Sequence, residues 1–181
     1  MIIPGKGHKF IAALGFILLA GSIAAITLYD YQHLGMKVET KTNTQQLSSS
    51  ASPQLPILLY QPLGNSQEKI YLYKTNPKQK KVKPISTNHS SATVNFTTDQ
   101  TAKLEIKTSR YVFKNKTAEV MFGVFGHQNE FKHRKYIFTV PKNWKVLSVK
   151  QAKALQKKLA KQALLQKQMI LKKQAAANST K

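Results

Sequence analysis

The chain contains no cysteine. That excludes a disulfide frame, thiol catalysis and lipid attachment through a thioether. Acids are nearly as scarce: Asp and Glu number 7 against 29 Lys and Arg in 181 residues, for a net charge of +22. Few carboxylates leave little material for paired acid–base chemistry, so a wall-acting hydrolase is disfavoured and no enzyme is expected. Arginine is rare too, with only Arg110 and Arg134. Lysine is a compact point charge without the planar fork of arginine. A lysine-dominated surface therefore suits diffuse attraction to polyanions rather than geometric reading of bases. No Gly-x-Ser-x-Gly elbow occurs, and "GKGHK" near the start lacks the order of a phosphate loop.

What the chain does have is "FIAALGFILLAGSIAAITLY", Phe10 to Tyr29, without one charge. Twenty helical residues span about 30 Å, the thickness of a bilayer's hydrocarbon core. A buried soluble helix of that length normally shows a polar face, and this one shows none. A cleaved signal peptide is the competing reading, because Lys6 and Lys9 precede the run and "AGS" at Ala20–Ser22 offers small residues for a cut. The apolar run continues past that point to Tyr29, which a spanning helix needs and a signal does not. "LLAGS" is similar to a lipoprotein box, but Ser22 stands where the acylated cysteine belongs. The expected outcome is an uncleaved single-pass anchor. Flanking lysines nearly balance, Lys6 and Lys9 before the run against Lys37 and Lys41 after it. The amino-terminal charge and the shorter front tail point to an inside N-terminus and an extracellular bulk at the cell membrane.

Six regions are expected: a tail 1–9, the transmembrane helix 10–29, a flexible stalk 30–54, an antiparallel β domain 55–147, a basic amphipathic helix 148–177 and a disordered end 178–181. The stalk rests on the Ser-, Thr-, Gln- and Asn-rich "KVETKTNTQQLSSSASPQ", too polar to offset chain entropy. In the β domain, "PILLY" and "KIYLYK" read as a hairpin around a Pro–Gly–Asn turn. "TVNFTT", "KLEIKTSRYVF", "AEVMFGVFG" and "RKYIFTV" supply four further runs. "AEVMFGVFG", apolar on both faces, is expected to be the central strand, and the last three runs are expected to form an antiparallel meander. The sheet needs a cover, either its own curl or the C-terminal helix. The fold class is thus one N-terminal transmembrane helix, a small antiparallel β (α+β) domain of about six strands, and a C-terminal basic helix. That helix opens on Ser148-Val149-Lys150-Gln151, a capping-box pattern. Ala152, Leu155, Leu159, Ala163, Met169 and Ile170 share one face at 100° per residue, opposite Lys150, Lys157, Lys161 and Lys172.

The strings "YDYQHLGM", "ILLYQPLG", "KIYLYKT", "FGVFG" and "VPKNWKVLSVKQAKALQKKLA" carry a resemblance across nearly the whole chain. It resembles a family of small membrane proteins of Gram-positive lactic-acid-type bacteria, described as a domain of unknown function. Members of that family can carry a further hydrophobic segment upstream, whereas here nine residues precede the run. The resemblance implies the membrane domain and transfers no functional residue.

No chemical constellation emerges from the remaining residues. His127, Glu130 and His133 bracket a turn, but their spacing matches no recurrent metal-ligand pattern, and a solvated turn is the better reading. Glu105 and Glu119 read as cross-strand partners of lysine rather than an acid–base pair. Asn-x-Ser/Thr triplets at Asn88, Asn95, Asn115 and Asn178 are what chance supplies in so Asn- and Thr-rich a chain. Aromatic–lysine interleaving at "YLYK" and "SRYVFK" is similar to single-strand nucleic-acid platforms, but core pairing explains it better. Nucleic acid is not an expected partner, and no cofactor or metal is expected. The candidate polyanion contacts are Lys78, Lys80, Lys81 and Lys83 in a basic loop, and Lys150, Lys157, Lys161 and Lys172 on the last helix. The expected partners are the membrane itself and anionic lipid or cell-wall polymer. The last helix is also the place where a protein partner would dock, as in an accessory subunit of a membrane complex.

Overall fold

The computed structural model describes residues 7–52, 55–64, 68–126 and 128–178, without the side chains of Phe125 and of residues 172–178. Helix α1 covers His8–Gln32. Strands β1 (Met36–Gln46), β2 (Ile57–Leu63), β3 (Glu68–Tyr73), β4 (Lys83–Pro84), β5 (Ser90–Thr97) and β6 (Lys103–Phe113) follow. Helix α2 (Lys116–Phe122) and a 3₁₀ turn (Gly123–Phe125) precede β7 (Glu130–Pro141), β8 (Lys145–Ser148) and helix α3 (Val149–Asn178). The strands form two four-stranded sheets, ordered β1-β6-β7-β5 and β4-β3-β2-β8. Two compact units result, one of residues 1–41 and 107–133, the other of residues 42–106 and 134–181.

The second unit holds the apolar core. β2 and β3 form the expected antiparallel hairpin, with Leu59 opposite Leu72 and Tyr60 opposite Tyr71. In β7 the period-two alternation buries Tyr136, Phe138 and Val140 at 4%, 0% and 0% exposure. These meet Leu47, Leu58, Ile85, Ala102 and Leu104 in one cluster, with Tyr71, Tyr73, Val94, Trp144 and Val146 packed against it. Full burial of a side chain such as Leu58 or Phe138 stabilises by about 1.5–3 kcal/mol. Aromatic rings join the two sheets: Tyr71 and Tyr73 of β3 approach Phe138 of β7 at centroid distances of 5.3 and 6.2 Å. The cover that the sheet needs is thus chiefly another sheet. Only the first turns of α3 reach β2 and β8, while Leu159, Leu164, Leu165, Met169 and Ile170 stay exposed.

Several expectations are corrected. The antiparallel domain of about six strands, with a meander of its last three runs, is instead a mixed arrangement of eight: β5 runs parallel to β7, from Ser90 beside Arg134 to Thr97 beside Pro141. β8, unread in "NWKVLS", runs parallel to β2. Both are non-local pairings, invisible in a turn-by-turn reading. The stretch 30–54, expected as a flexible stalk, contains β1, flanked by the buried Leu47 and Ser50 and starting at the buried Met36. β1 is an edge strand, and edge strands carry polar and charged side chains that discourage further pairing. Its composition therefore looks like that of a linker. "AEVMFGVFG", expected as the most buried strand, is α2 and the 3₁₀ turn. Asn115 caps α2 by accepting from the Ala118 N–H at 2.9 Å, and the turn ends on Gly126 at φ 79°. A short apolar run does not by itself separate strand from helix. Of the expected disordered end 178–181, Asn178 belongs to α3, and residues 179–181, like the turn residues 65–67 and His127, lie outside the described residues.

Candidate functional site

The elements that carry the candidate lysines lie in the second unit. Lys78, Lys80 and Lys81 occupy the loop after β3, and Lys83 sits in β4 opposite Tyr73. The loop is organised by its own polar groups, with the Lys78 N–H donating to Asn76 Oδ1 at 2.9 Å. All four side chains are exposed. Lys150, Lys157 and Lys161 are exposed along α3, while the Lys172 side chain lies outside the described residues. Helix α3 begins as a reciprocal capping box: the Ser148 N–H donates to Gln151 Oε1 at 2.9 Å, and the Gln151 N–H donates to Ser148 Oγ at 3.1 Å. Two end donors are thereby satisfied, and the helix direction is set directly from β8.

The structure does not gather the eight candidate lysines into one site. β4 and β8 are the opposite edges of their sheet. Three inter-strand steps separate them, about 14 Å. That exceeds the screening length of about 8 Å at physiological salt. The loop that carries the first lysines and the start of α3 therefore attach at opposite edges of the sheet.

Two grooves accompany them. One of about 510 Å³ runs under the first turns of α3, lined by Leu55, Ile57, Leu59, Ala152 and Leu155 with Lys153 at its rim. The other, of about 430 Å³, is more polar and is lined by Lys69, Tyr71, Ser86, Thr87, Ser90 and Ser91. Burial, and after it the neighbouring Tyr60, holds the Tyr71 hydroxyl above the usual phenol range. Burial, then Tyr136, raises that of Tyr73, with Arg134 opposing. A raised phenol is a poorer acid, so neither residue is prepared as a proton donor near neutral pH. Among the described residues no group of three His, Asp or Glu side chains is placed to hold a metal.

The first unit contains an arrangement that sequence reasoning missed. Helix α1 ends in an αL cap: the His33 N–H donates to Tyr29 O at 3.0 Å, and the Leu34 N–H donates to Leu28 O at 3.3 Å. His33 takes the left-handed conformation, φ 54°, stacks on Tyr111 at 3.6 Å, and places Nε2 3.7 Å from Glu130 Oε2. Tyr29, 2% exposed, stacks on Phe122 of α2 at 4.9 Å and 6°. Gly35, at φ 82°, lies so close beneath α2 that a Cβ there would meet the Phe122 ring at 3.2 Å. The only sequence signals were Gly35 and the i, i+4 pair Ala118 and Phe122. Glu119, expected on a strand, is exposed on α2.

Among the described residues one helix, α1, is long and apolar enough to cross a membrane. The protein is membrane-associated and carries a β-sheet domain. No curated protein and no solved structure matches the chain. Residues 6–155 match the family described as Domain of unknown function (DUF4811). The match takes in α1, both sheets and the first turns of α3. With most of its length matched, the chain belongs to the DUF4811 family.

Proposed function

We propose that the protein is a non-catalytic binding or envelope-organising module, anchored once in the cell membrane with its N-terminus inside and its β domain outside. In this reading α3, with the loop lysines as a second patch, holds a polyanionic surface of anionic lipid or wall polymer. The observation that carries it is α3 itself. Residues 148–181 contain nine lysines and no acid, and from Leu164 to Leu171 the large apolar side chains of the helix are exposed. Each lysine near an anionic membrane contributes about 1 kcal/mol, so a few suffice for attachment.

The test uses the full chain reconstituted in neutral vesicles, offered anionic vesicles or purified wall polymer in separate arms. Replacing Lys150, Lys157, Lys161 and Lys172 with Gln keeps the helix and removes charge alone. Binding should fall steeply in one arm and weaken with salt in the unaltered protein. Unchanged, salt-insensitive binding would show the lysines to be a solvated face. Orientation is tested with Lys81→Cys, a single exposed thiol in a cysteine-free chain. A membrane-impermeant maleimide should label it in intact cells, whereas labelling only after lysis would reverse the topology.

A second reading has its own observation. Leu164, Leu165, Met169, Ile170 and Leu171 are each 49–59% exposed on α3. They suit a partner helix, as in an accessory subunit of a membrane complex. Crosslinking from Met169→Cys to a single protein species in native membranes, insensitive to salt, would favour that reading.

A further inference from the structure

Helix α2 and its 3₁₀ turn point a group of apolar side chains away from the protein. Val120, Met121 and Val124 are 76%, 63% and 83% exposed. No charge occurs from Val120 to Gly126. The opposite side of the same helix is firmly seated: Ala118 is buried, and Phe122 stacks on Tyr29. An exposed apolar cluster on a well-held helix marks an interaction surface rather than a loose end.

The place of that helix identifies the partner. Tyr29 is the last residue of the uncharged run in α1, so the Tyr29–Phe122 stack sets α2 beside the level at which α1 leaves hydrocarbon. Ile23, Ile26 and Leu28, just before that level, are 59%, 38% and 39% exposed, as lipid-facing side chains must be. Lys114 and Lys116, at the start of α2, are exposed. Lys132, also exposed, lies with Nζ 5.1 Å from the centre of the Tyr111 ring. Apolar tips with lysines and aromatic rings close by are the makeup of an interfacial segment, and α2 carries one exposed acid, Glu119, beside them. We infer that α2 and its 3₁₀ turn form a second membrane contact, dipping Val120, Met121 and Val124 into the leaflet from which α1 emerges.

The inference rests on α1 being a membrane anchor, and it adds a geometric consequence. An anchor helix alone leaves its domain free to tilt and swivel. A second contact, clamped to the last turn of α1, fixes both. The first unit would then be held flat on the bilayer surface instead of swinging on a tether.

The experiment reads depth directly. Single-cysteine variants Val124→Cys, Val120→Cys, Leu18→Cys and Lys81→Cys of the full chain carry an NBD fluorophore in neutral phosphatidylcholine vesicles, which offer the loop lysines no anionic surface. The vesicles contain lipid bearing a nitroxide either high or low on the acyl chain. The two valines are so exposed that neither change should disturb folding. Labels at 124 and 120 should lose about half their emission to the shallow nitroxide and less to the deep one, as for a segment about 5–10 Å into the boundary region. The label at 18 should respond most to the deep nitroxide, and the label at 81 only to aqueous iodide. If 18 is quenched from within the bilayer while 124 and 120 behave like 81, the α2 contact is wrong and the anchor stands. Without deep quenching at 18, both fail. Labels at 124 and 120 shielded from iodide yet untouched by lipid nitroxide would overturn the inference in favour of a protein cover.

Discussion

Helices α1 and α3 are similar in length, 25 and 30 residues, and both leave most of their apolar side chains uncovered. Charge separates them. Between Phe10 and Tyr29 α1 has none, whereas α3 carries a lysine at nearly every turn. Placing one lysine or arginine at the centre of a bilayer costs about 2.5–3.5 kcal/mol on insertion scales. Hydrocarbon is therefore the natural cover for α1 and a poor one for α3, which is suited to lie on an anionic surface. Exposure alone does not say where a helix belongs; exposure together with charge does. The attached ends differ as well. α1 is clamped by its last turn, through Tyr29 and His33, and α3 by its first, through Ser148 and Gln151.

The largest effect should come from making α1 resemble α3. Leu18→Arg with Leu19→Arg places two charges mid-helix, each opposing insertion by about 2.5–3.5 kcal/mol. The variant should leave the carbonate-resistant membrane fraction. Retention there would mean that α1 is not held by hydrocarbon.

A smaller effect is expected at the α1 clamp. Gly35→Ala puts a Cβ on a left-handed residue, at about 1–2 kcal/mol, and against the Phe122 ring as well. Hydrogen exchange should quicken in residues 30–41 and 116–122 while the β7 core stays protected. Equal protection in both proteins would show that α2 does not depend on the close approach.

The corresponding change on α3 is Ser148→Ala, which removes one half of the capping box and should cost about 1 kcal/mol. Ser148→Asp should restore most of it. Helicity measured by circular dichroism is the readout, and no change on Ser148→Ala would mean that Leu155 and the groove alone seat the helix.

The smallest effect concerns pH and the core of the second unit. The hydroxyls of Tyr71 and Tyr73 are harder to ionise folded than unfolded. Below the ordinary phenol value of about 10 both states are neutral and stability is unaffected. Above it the unfolded chain loses protons first, so stability falls as pH rises towards the raised folded values. Tyr71→Phe with Tyr73→Phe should flatten that alkaline decline in chemical-unfolding midpoints. An identical decline would place its cause among the lysines.

Local sequence determined the elements whose signal is local. The uncharged run of α1, the β2–β3 hairpin and the Ser148–Gln151 capping box are each set by neighbours within a few residues, and each formed as read. Tertiary structure decided what depends on distant partners. β1 is a strand because the sheet offers it an edge, although its polar composition reads as a linker. β5 and β8 pair in parallel with strands far away in the chain. "AEVMFGVFG" was apolar enough for a buried strand, yet Asn115 capped it as a helix and Tyr29 gave it a seat, leaving its apolar tips outward. The candidate lysines read as a basic loop and a basic helix, and sheet order attached that loop and the start of that helix at opposite edges. A residue's periodicity reports which of its sides prefer water. Only the pairing of backbone hydrogen bonds across the fold decides what stands opposite each side.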